Sequence, residues 1–320
     1  MRIASTLAGP AALAALVALA APGAAATATT ARPTTYIVSR VPGDTPEGID
    51  VTADGTIYVS SAGTGAVFRG SDREPELRSF IAAGADGRHS AAGVHVDRLG
   101  RIFVAGFDTG TLYVYDHRGH LLAARPTVDT AALNDFAFTD DAVYVTDSVN
   151  GIVWRASLAG ATIGPMRAWL TADAFTPAAT FLNGIVATPD ARALIVSDQD
   201  TQTYNVAITS RTVRPLTIVG APDGLFSADG MILEGRWLYG VYNYPDATQP
   251  SGNAWVTRLL RMSADYRTAT WIADSAIAPD ASTPTTIARD GCRLLWANSQ
   301  LFPNPPGTPP YTATVVPGLR

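Results

Sequence analysis

Hydrophobic residues along the chain recur in short runs with the alternation of half-buried strands, and turn residues separate the runs. In the first unit, Ile49 and Val51 precede an Asp54-Gly55 turn, and residues 56–59 follow it as Thr-Ile-Tyr-Val. Asp-Gly between two β-branched or aromatic runs is a strong hairpin signal. Further pairs of runs turn at residues 98–100, 140–141, 189–190, 234–235 and 290–291. The pattern therefore predicts paired strands and no long helix.

A short phrase precedes each of these hairpins. It holds a loop residue, a small or turn-forming residue and an apolar residue. The phrases are Glu47-Gly48-Ile49, Ala92-Gly93-Val94, Asn134-Asp135-Phe136, Asn183-Gly184-Ile185, Asp229-Gly230-Met231 and Thr285-Thr286-Ile287. Their first residues, here called the slot residues, follow one another at intervals of about 42 to 56 residues, which is close to the length of one four-stranded blade. The repeat predicts an all-β, six-bladed β-propeller over residues 35–320.

Ring closure requires a strand that completes the last blade. Residues 35–38 and 311–316 are the two candidate strands at the ends of the chain. We expect them to pair in blade six, which removes exposed sheet edges. The loop over residues 244–254, rich in Pro, Asn and Gly, is expected to cover one mouth of the propeller.

The first 26 residues have the features of a secretory signal peptide. Arg2 gives a positive start, residues 11–21 are apolar, and Ala24-Ala25-Ala26 offers a small-residue cleavage site. The alternative is a membrane anchor, but the apolar run is shorter than the ~20 residues that a span needs. We expect a secreted, extracellular protein with a flexible start at residues 27–34. After signal removal we expect no membrane association, and we expect a monomer.

The amino-acid composition and net charge limit the classes of binding partner that we expect. Hydrophobic residues make up 47% and charged residues 16% of the chain, which is typical of a folded domain. The net charge is −5, every basic residue is arginine, and no basic run occurs, so nucleic acid is not an expected partner. Cys292 is the one cysteine, so no internal disulfide forms. We expect Cys292 to be a buried packing residue at the start of a strand.

Four of the six slots hold an oxygen-bearing carboxylate or amide: Glu47, Asn134, Asn183 and Asp229. The other two hold Ala92 and Thr285. Radial repetition brings equivalent positions together around one axis, so these side chains are expected to converge. An alternative is that Asn-Gly and Asp-Gly are turn dipeptides. Each repeat already has its hairpin turn downstream, which favours the shared site.

The predicted ligands are all oxygen donors, which favours a hard divalent cation, and we expect Ca²⁺. Two carboxylates would neutralise the ion, and water or substrate would complete its coordination. Without the ion, Glu47 and Asp229 should repel one another, so at least one should be protonated or the mouth should loosen. Asp135 is either a supporting residue behind the ion or a solvated aspartate.

A second set of polar residues ends the second strands. Asp147, Asp198, Asn243 and Asn298 either line the same mouth and bind substrate or serve as strand-end turn residues. His95 lies in an inner strand, where a hydrogen-bonded core histidine is expected.

The phrases Pro46-Glu47-Gly48, Leu133-Asn134-Asp135, Leu182-Asn183-Gly184-Ile185 and Ala228-Asp229-Gly230-Met231 resemble those of the senescence marker protein/gluconolactonase/luciferin-regenerating enzyme family. The paraoxonase-type lactonases have a similar arrangement. The resemblance implies a divalent cation, often Ca²⁺, held by Glu47, Asn183 and Asp229, with Asn134 beside it. It also implies a metal-dependent hydrolase that opens a lactone or related ester, with Asp229 as the candidate general base.

Two family features differ in this chain. Gluconolactonase-type members carry an arginine two residues before the asparagine of the Asn-Asp motif, where this chain has Ala132. The histidine of the paraoxonase-type members has no match, since the slot of blade two holds Ala92. A non-catalytic propeller, stabilised by a metal and binding a small ligand or a protein, is therefore the alternative. A third hypothesis is a scaffold that binds no metal.

Overall fold

The alternating runs of the sequence form strands in the computed structural model, and the strands group into six sheets. The structure describes Met1 and residues 31–222, 226–245, 253–277, 281–301 and 307–319. These residues belong to a unit that spans Arg32–Arg320, apart from the ends of a separate N-terminal unit, Met1–Ala31. Residues 2–26 of the predicted signal peptide, residues 27–30 of the flexible start and residues 246–252 of the loop 244–254 lie outside the described residues.

The strands follow the chain in four-strand groups. The first half of the chain holds β1 (Thr35–Ser39), β2 (Pro46–Val51), β3 (Thr56–Ser61), β4 (Val67–Ser71), β5 (Arg78–Ile81), β6 (Ala91–Val96), β7 (Ile102–Gly106), β8 (Thr111–Tyr115), β9 (Leu121–Pro126), β10 (Leu133–Phe138), β11 (Ala142–Asp147), β12 (Ile152–Ala159), β13 (Thr162–Ile163) and β14 (Arg167–Leu170). The second half holds β15 (Leu182–Ala187), β16 (Ala193–Asp198), β17 (Thr203–Ala207), β18 (Val213–Pro215), β19 (Thr217–Val219), β20 (Met231–Glu234), β21 (Trp237–Pro245), β22 (Asn253–Met262), β23 (Thr268–Asp274), β24 (Pro284–Asp290), β25 (Arg293–Asn298) and β26 (Tyr311–Val315).

Each sheet is an antiparallel meander that forms one blade. Blades one, two and four are β2–β5, β6–β9 and β15–β18. Blade three is β10, β11, β12 and β14, with β13 paired to the end of β12. Blade five is β20–β23, and β19 adds a fifth strand parallel to β23. The predicted all-β, six-bladed propeller is confirmed.

The two ends of the chain meet in blade six. This sheet runs β24, β25, β26 and β1, and β1 pairs antiparallel with β26 through Tyr36 opposite Ala313. β1 also contacts blade one, because the Ile37 amide donates to the Pro75 carbonyl at 2.8 Å. Closure by the terminal strands is therefore confirmed, and β1 belongs to one blade while it contacts the next.

Each pair of neighbouring blades has its own apolar core. Between blades one and two, Tyr58 and Val67 pack with Val94 and Val104. The interface of blades six and one is similar, and it buries Tyr36 completely. Each blade presents apolar residues on both faces, so six contiguous cores tie the ring together.

The prediction for Cys292 is wrong, because its side chain is exposed. The hairpin before β25 bends at Gly291, and β25 begins only at Arg293, so Cys292 stays in the turn. Two short 3₁₀ turns, Ala85–Gly87 and Ala172–Ala174, are the helical elements of the described residues. Within that part of the chain no helix has the length and apolar character needed to cross a membrane.

Candidate functional site

A β-bulge lies at the slot of five inner strands. In blade one, Pro46 pairs with Ser61 and Ile49 with Val59, so that Glu47 and Gly48 together face Ser60. The same shift occurs in blades two, three, four and six. A bulge bends a strand and re-aims a side chain. In blade five the Asp229 amide donates to the Val241 carbonyl just before β20. The bulges explain why the slot residues point toward the axis.

The residue after the slot is glycine in four blades, where neighbouring inner strands approach closely. A Cβ added to Gly48 would lie 2.7 Å from the Ala92 carbonyl oxygen, and one added to Gly93 would lie 2.8 Å from that of Asn134. At Gly184 an added Cβ would overlap the Asp229 carbonyl oxygen. Each of these glycines therefore lets one blade touch the slot backbone of the next.

Hydroxyl groups complete the link between neighbouring slots. Thr146 Oγ1 accepts from the Asp135 amide at 3.0 Å and donates to the Asn183 carbonyl at 2.7 Å. Ser60 Oγ makes the same pair of bonds, with the Gly48 amide and the Ala92 carbonyl. Thr285 Oγ1 closes the ring by donating to the Glu47 carbonyl at 2.7 Å. The backbone around the axis is thus held at a fixed spacing.

The ring of slots forms the floor of a cavity of about 510 Å³. Glu47, Asn134, Asn183 and Asp229 all line this cavity, and all four side chains are buried. Ala92 and Thr285, the two remaining slots, line it as well. The structure therefore brings together the four residues that the sequence analysis proposed as metal ligands.

Asp229 lies in a network of amides. Asn243 Nδ2 donates to Asp229 Oδ2 at 2.6 Å and to the Pro284 carbonyl at 3.1 Å. Asn183 also hydrogen-bonds Asp229, and its Nδ2 donates to Gln199 Oε1 at 2.6 Å. Gln199 Nε2 in turn lies 3.5 Å from Asn243 Oδ1. The Asp229 carboxyl is held in one orientation by its neighbours in blades four and five.

Glu47 has a different environment. Its Oε2 is buried and has no hydrogen-bond partner among the described residues. Burial, followed by the charges of Asp229 and Asp135, raises the pKa of Glu47 well above its usual range. Burial also raises the pKa of Asp229 to about 7, and the hydrogen bonds from Asn243 and Asn183 oppose that rise. Glu47 and Asp229 therefore favour the protonated state, as expected of carboxyl groups that lie together without a counter-ion.

These features fit a divalent cation. A positive ion at the floor would offset the burial and the acid charges that raise the pKa values of Glu47 and Asp229, and it would give the unpartnered Glu47 oxygen a ligand role. Oxygen ligands from carboxylates and amides are those that Ca²⁺ takes. The described residues bring no three His, Cys, Asp or Glu side chains into a metal-binding group. An ion at this position would depend on Asn183 and Asn134 as well as on the two acids.

Asp135 is buried behind the ring, so it is not a solvated aspartate. Its Oδ1 accepts from the Phe136 amide at 2.8 Å and lies 3.0 Å from His95 Nε2. Its Oδ2 has no partner among the described residues. Burial lowers the pKa of His95, but the hydrogen bond and charge of Asp135 outweigh it, so the pKa is raised. His95 is hydrogen-bonded as the sequence predicted, but its side chain is 20% exposed, so it is partly buried and not a fully buried core residue.

Of the second polar set, Asn243 alone lines the cavity. Asp147 accepts from the Ala132 and Asn150 amides and from Trp154 Nε1, and Asp198 accepts from the Thr180 amide. Asn298 donates to Thr312 and Thr314 in the next strand. These three residues organise strand ends and turns, so the substrate-binding alternative does not hold for them.

The sequence analysis missed several cavity residues, including Gln199, Phe107, Phe181 and Leu301. Gln199 and Phe107 occupy one equivalent position, directly after the second strand of the blade. There the backbone amide donates to the residue two before the slot: Gln199 to Phe181 at 2.9 Å, and Phe107 to Ser90 at 3.1 Å. Ser148, which holds Asn134 Nδ2 at 2.9 Å, has the same place in blade three. Alignment of the strand ends by register is the signal that identifies this position.

Comparisons with known proteins show the fold. No protein-family description matches the chain, and no curated protein matches it either. Among solved structures, the calcium-binding protein regucalcin from Agrobacterium tumefaciens has a TM-score of 0.60 and 14% identity over 90% of this chain and 96% of its own. Virginiamycin B lyase from Staphylococcus aureus, solved with quinupristin, has a TM-score of 0.57 and 12% identity over 87% and 82%. At such identities the likeness extends to the propeller architecture alone.

Proposed function

We propose that the protein is a secreted, divalent-metal-dependent hydrolase that opens a lactone or related ester. The observation that carries the proposal is the buried, unpartnered Glu47 oxygen, which shares a cavity floor with Asp229 and two amides. Buried carboxyl groups with raised pKa values in a cleft are typical of functional sites. Export rests on the signal-like residues 1–26.

Glu47, Asn183 and Asp229 would hold the ion, with Asn134 beside it, and Ca²⁺ is the cation that this donor set suits best. When bound, the ion supplies Lewis-acid polarisation of the substrate carbonyl. Asn243 keeps Asp229 in place, since its Nδ2 donates to Asp229 Oδ2 at 2.6 Å, and Gln199 Oε1 accepts from Asn183 Nδ2 at 2.6 Å. The residues of the ring are thus arranged before any substrate enters.

Asp229 is the proposed general base. It takes one proton from the attacking water as the water oxygen bonds to the carbonyl carbon. The carbon–oxygen bond of the ester then breaks, and the proton passes from Asp229 to the departing alkoxide, so the product is a hydroxy acid or an acid and an alcohol. To take this proton near neutral pH, Asp229 must be ionised, and the bound ion would favour that state.

An assay of neutral lactones and esters, with Ca²⁺ or with a chelator, tests the proposal. We expect Asp229→Asn to lower kcat/KM by roughly 100-fold or more, the usual contribution of a general base. Asp265→Asn makes the same substitution at an exposed turn and should leave the rate unchanged. Equal rates for wild type and Asp229→Asn would rule out this mechanism.

A non-catalytic, metal-stabilised propeller that binds a small ligand is the second candidate. The observation that favours it is the absence of arginine, lysine and histidine from the described residues that line the cavity. In that case chelation would lower the melting temperature, because a bound ion stabilises the folded state, and no lactone or ester would be hydrolysed.

A further inference from the structure

The cavity is polar on one side and apolar on the other. Ala92 interrupts the ring of polar slots at blade two, and the strand-end position of that blade holds Phe107. Blade one contributes Ala62 at its own strand-end position, next to them around the axis. Ala62, Ala92 and Phe107 form an apolar wall, here called the blade-two wall, and Ser90, whose carbonyl accepts from the Phe107 amide, lines the cavity beside it with one hydroxyl group. Phe181 and Leu301 add further apolar surface around the same cavity.

The amide donors on the polar side already have partners within the protein. Asn183 Nδ2 donates to Gln199 Oε1 and Asn243 Nδ2 to Asp229 Oδ2, both at 2.6 Å. Asn134 Nδ2 donates to Ser148 Oγ at 2.9 Å. A ligand with many hydroxyl groups would have to displace these bonds or bury its own hydroxyls unpaired, which is unfavourable in either case.

The ionisable residues that line the cavity limit the class of ligand further. Glu47 and Asp229 are the ionisable groups that line the cavity among the described residues, and both are acids. A free anionic group away from the floor would find no cationic side chain to pair with among the described residues that line the cavity, so its burial there would be unfavourable. Alkyl and aryl groups meet none of these penalties at the blade-two wall.

We propose that the cavity binds a neutral ligand with few hydroxyl groups, and that its alkyl or aryl part lies against Ala62, Ala92 and Phe107. Ala92 and Phe107 are then specificity-determining residues. The proposal deepens the proposed function, on which its reference to a lactone or ester substrate rests. The cavity volume of about 510 Å³ suits a small-molecule ligand of this kind.

The test compares two ring-matched δ-lactones in the presence of Ca²⁺, one carrying a pentyl chain and the other fully hydroxylated, as in gluconolactone. Binding is measured by calorimetry with the two corresponding lactams, so that affinity is read separately from turnover. Each methylene removed from water favours binding by about fourfold. With the chain partly covered, we expect the pentyl lactam to bind at least about tenfold more tightly than the hydroxylated one.

Two variants probe the wall. Phe107→Ala should reduce the preference for the pentyl lactam by about tenfold, because the chain then lies against fewer apolar atoms. Phe80→Ala removes a phenylalanine of similar, partial burial on the outer strand of blade one and should leave the preference unchanged. Ala92→Asn places a polar amide at the slot of blade two, within the apolar wall. The preference for the pentyl lactam should therefore fall or reverse.

The outcomes separate the two proposals. Tight binding of the pentyl lactam without hydrolysis of either lactone would support the ligand class and overturn the hydrolase. Preferential binding or opening of the hydroxylated lactone would overturn the ligand class and leave the hydrolase standing. An unchanged preference in both Phe107→Ala and Ala92→Asn would overturn the assignment of the wall. Failure of both lactams to bind would overturn the ligand class.

Discussion

Two carboxyl groups determine the chemistry of the cavity floor. Asp229 is fixed by Asn243 and Asn183, while Glu47 Oε2 has no partner among the described residues. A buried acid is costly when ionised, so burial raises the pKa of both, and the hydrogen bonds of Asp229 only partly oppose this. Protonation or a bound cation can relieve that cost. The free energy of unfolding depends on pH differently when the acids are protonated and when they hold a cation.

Metal-free protein should lose stability as pH rises. With raised pKa values, the folded state keeps protons that the unfolded chain releases above about pH 4, so the free energy of unfolding falls between about pH 4 and about pH 7. In chelator, we expect the melting temperature to be several degrees lower at about pH 8 than at about pH 5. Saturating Ca²⁺ should weaken or reverse this trend, because the bound ion favours the ionised acids.

Asp229→Asn isolates the contribution of that acid. The variant should show a shallower dependence on pH in chelator, with a remainder from Glu47 and from His95, whose raised pKa acts with the same sign. Asp265→Asn, at an exposed turn, serves as the control and should retain the wild-type slope near neutral pH. A chelated wild type that is more stable at high pH would contradict the assignment.

At the scale of the strand, the bulge is the device that builds the site. It turns the slot residue toward the axis, and the glycine that follows makes room for the neighbouring blade. Gly184 shows the tightest such approach, against the Asp229 carbonyl oxygen. The position of the Asp229 backbone therefore depends on a missing side chain in another blade.

Gly184→Ala should destabilise the protein by about 1–3 kcal/mol, the usual cost of overpacking. It should also weaken Ca²⁺ binding, since the added methyl group displaces the Asp229 backbone. Gly164→Ala is the matched control, because its new methyl group would meet the Ser157 hydroxyl rather than a neighbouring blade. Thermal melts and calcium titration of both variants provide the measurement, and equal results for the two would contradict the role of Gly184.

The hairpins and the slot positions were predictable from the sequence. Turn dipeptides and alternating runs predicted the hairpins, and the period placed Glu47, Asn134, Asn183 and Asp229 in equivalent positions. The strand ends were not predictable in the same way, because adjacent residues point to opposite sides and register decides which one faces the axis. Asp147 binds backbone amides, whereas the next residue, Ser148, holds Asn134.

Other residues depend on contacts between distant parts of the chain. Gln199 lines the cavity through its pairing with Asn183, and Leu301 lines it from the loop after β25. Neither belongs to the repeated phrase, so the repeat carried no signal for them. Cys292 was misplaced by a single residue at a strand boundary, which sequence patterns locate poorly.

For the whole molecule, closure of the ring holds the slots around one axis. The first strand, β1, completes blade six and also contacts blade one. Tyr36 lies fully buried at this junction, where its hydroxyl donates to the Asp72 carbonyl at 2.8 Å and accepts from Arg293 Nη2 at 2.8 Å. Arg32 Nη1 joins Asp72 to Asp290 across the same junction.

Tyr36→Ala should therefore destabilise the whole propeller, by about 3–5 kcal/mol for the loss of a large buried aromatic side chain. Tyr36→Phe keeps the ring and loses the hydroxyl bonds, so its cost should be about 1–3 kcal/mol. Denaturant unfolding gives both values. A single cooperative transition that shifts in this order would support closure as a global constraint, whereas an unchanged midpoint for Tyr36→Ala would contradict it.

We propose that side chains from separate blades bind one divalent cation. Calorimetric titration of the metal-free protein with Ca²⁺ at about pH 7, in two buffers of different ionisation enthalpy, tests it most directly. We expect one site per chain and proton release on binding, because acids with raised pKa values must ionise. We also expect that Glu47→Gln and Asp229→Asn each lose most of the affinity. Absent binding, or equal binding by wild type and both variants, would contradict the account.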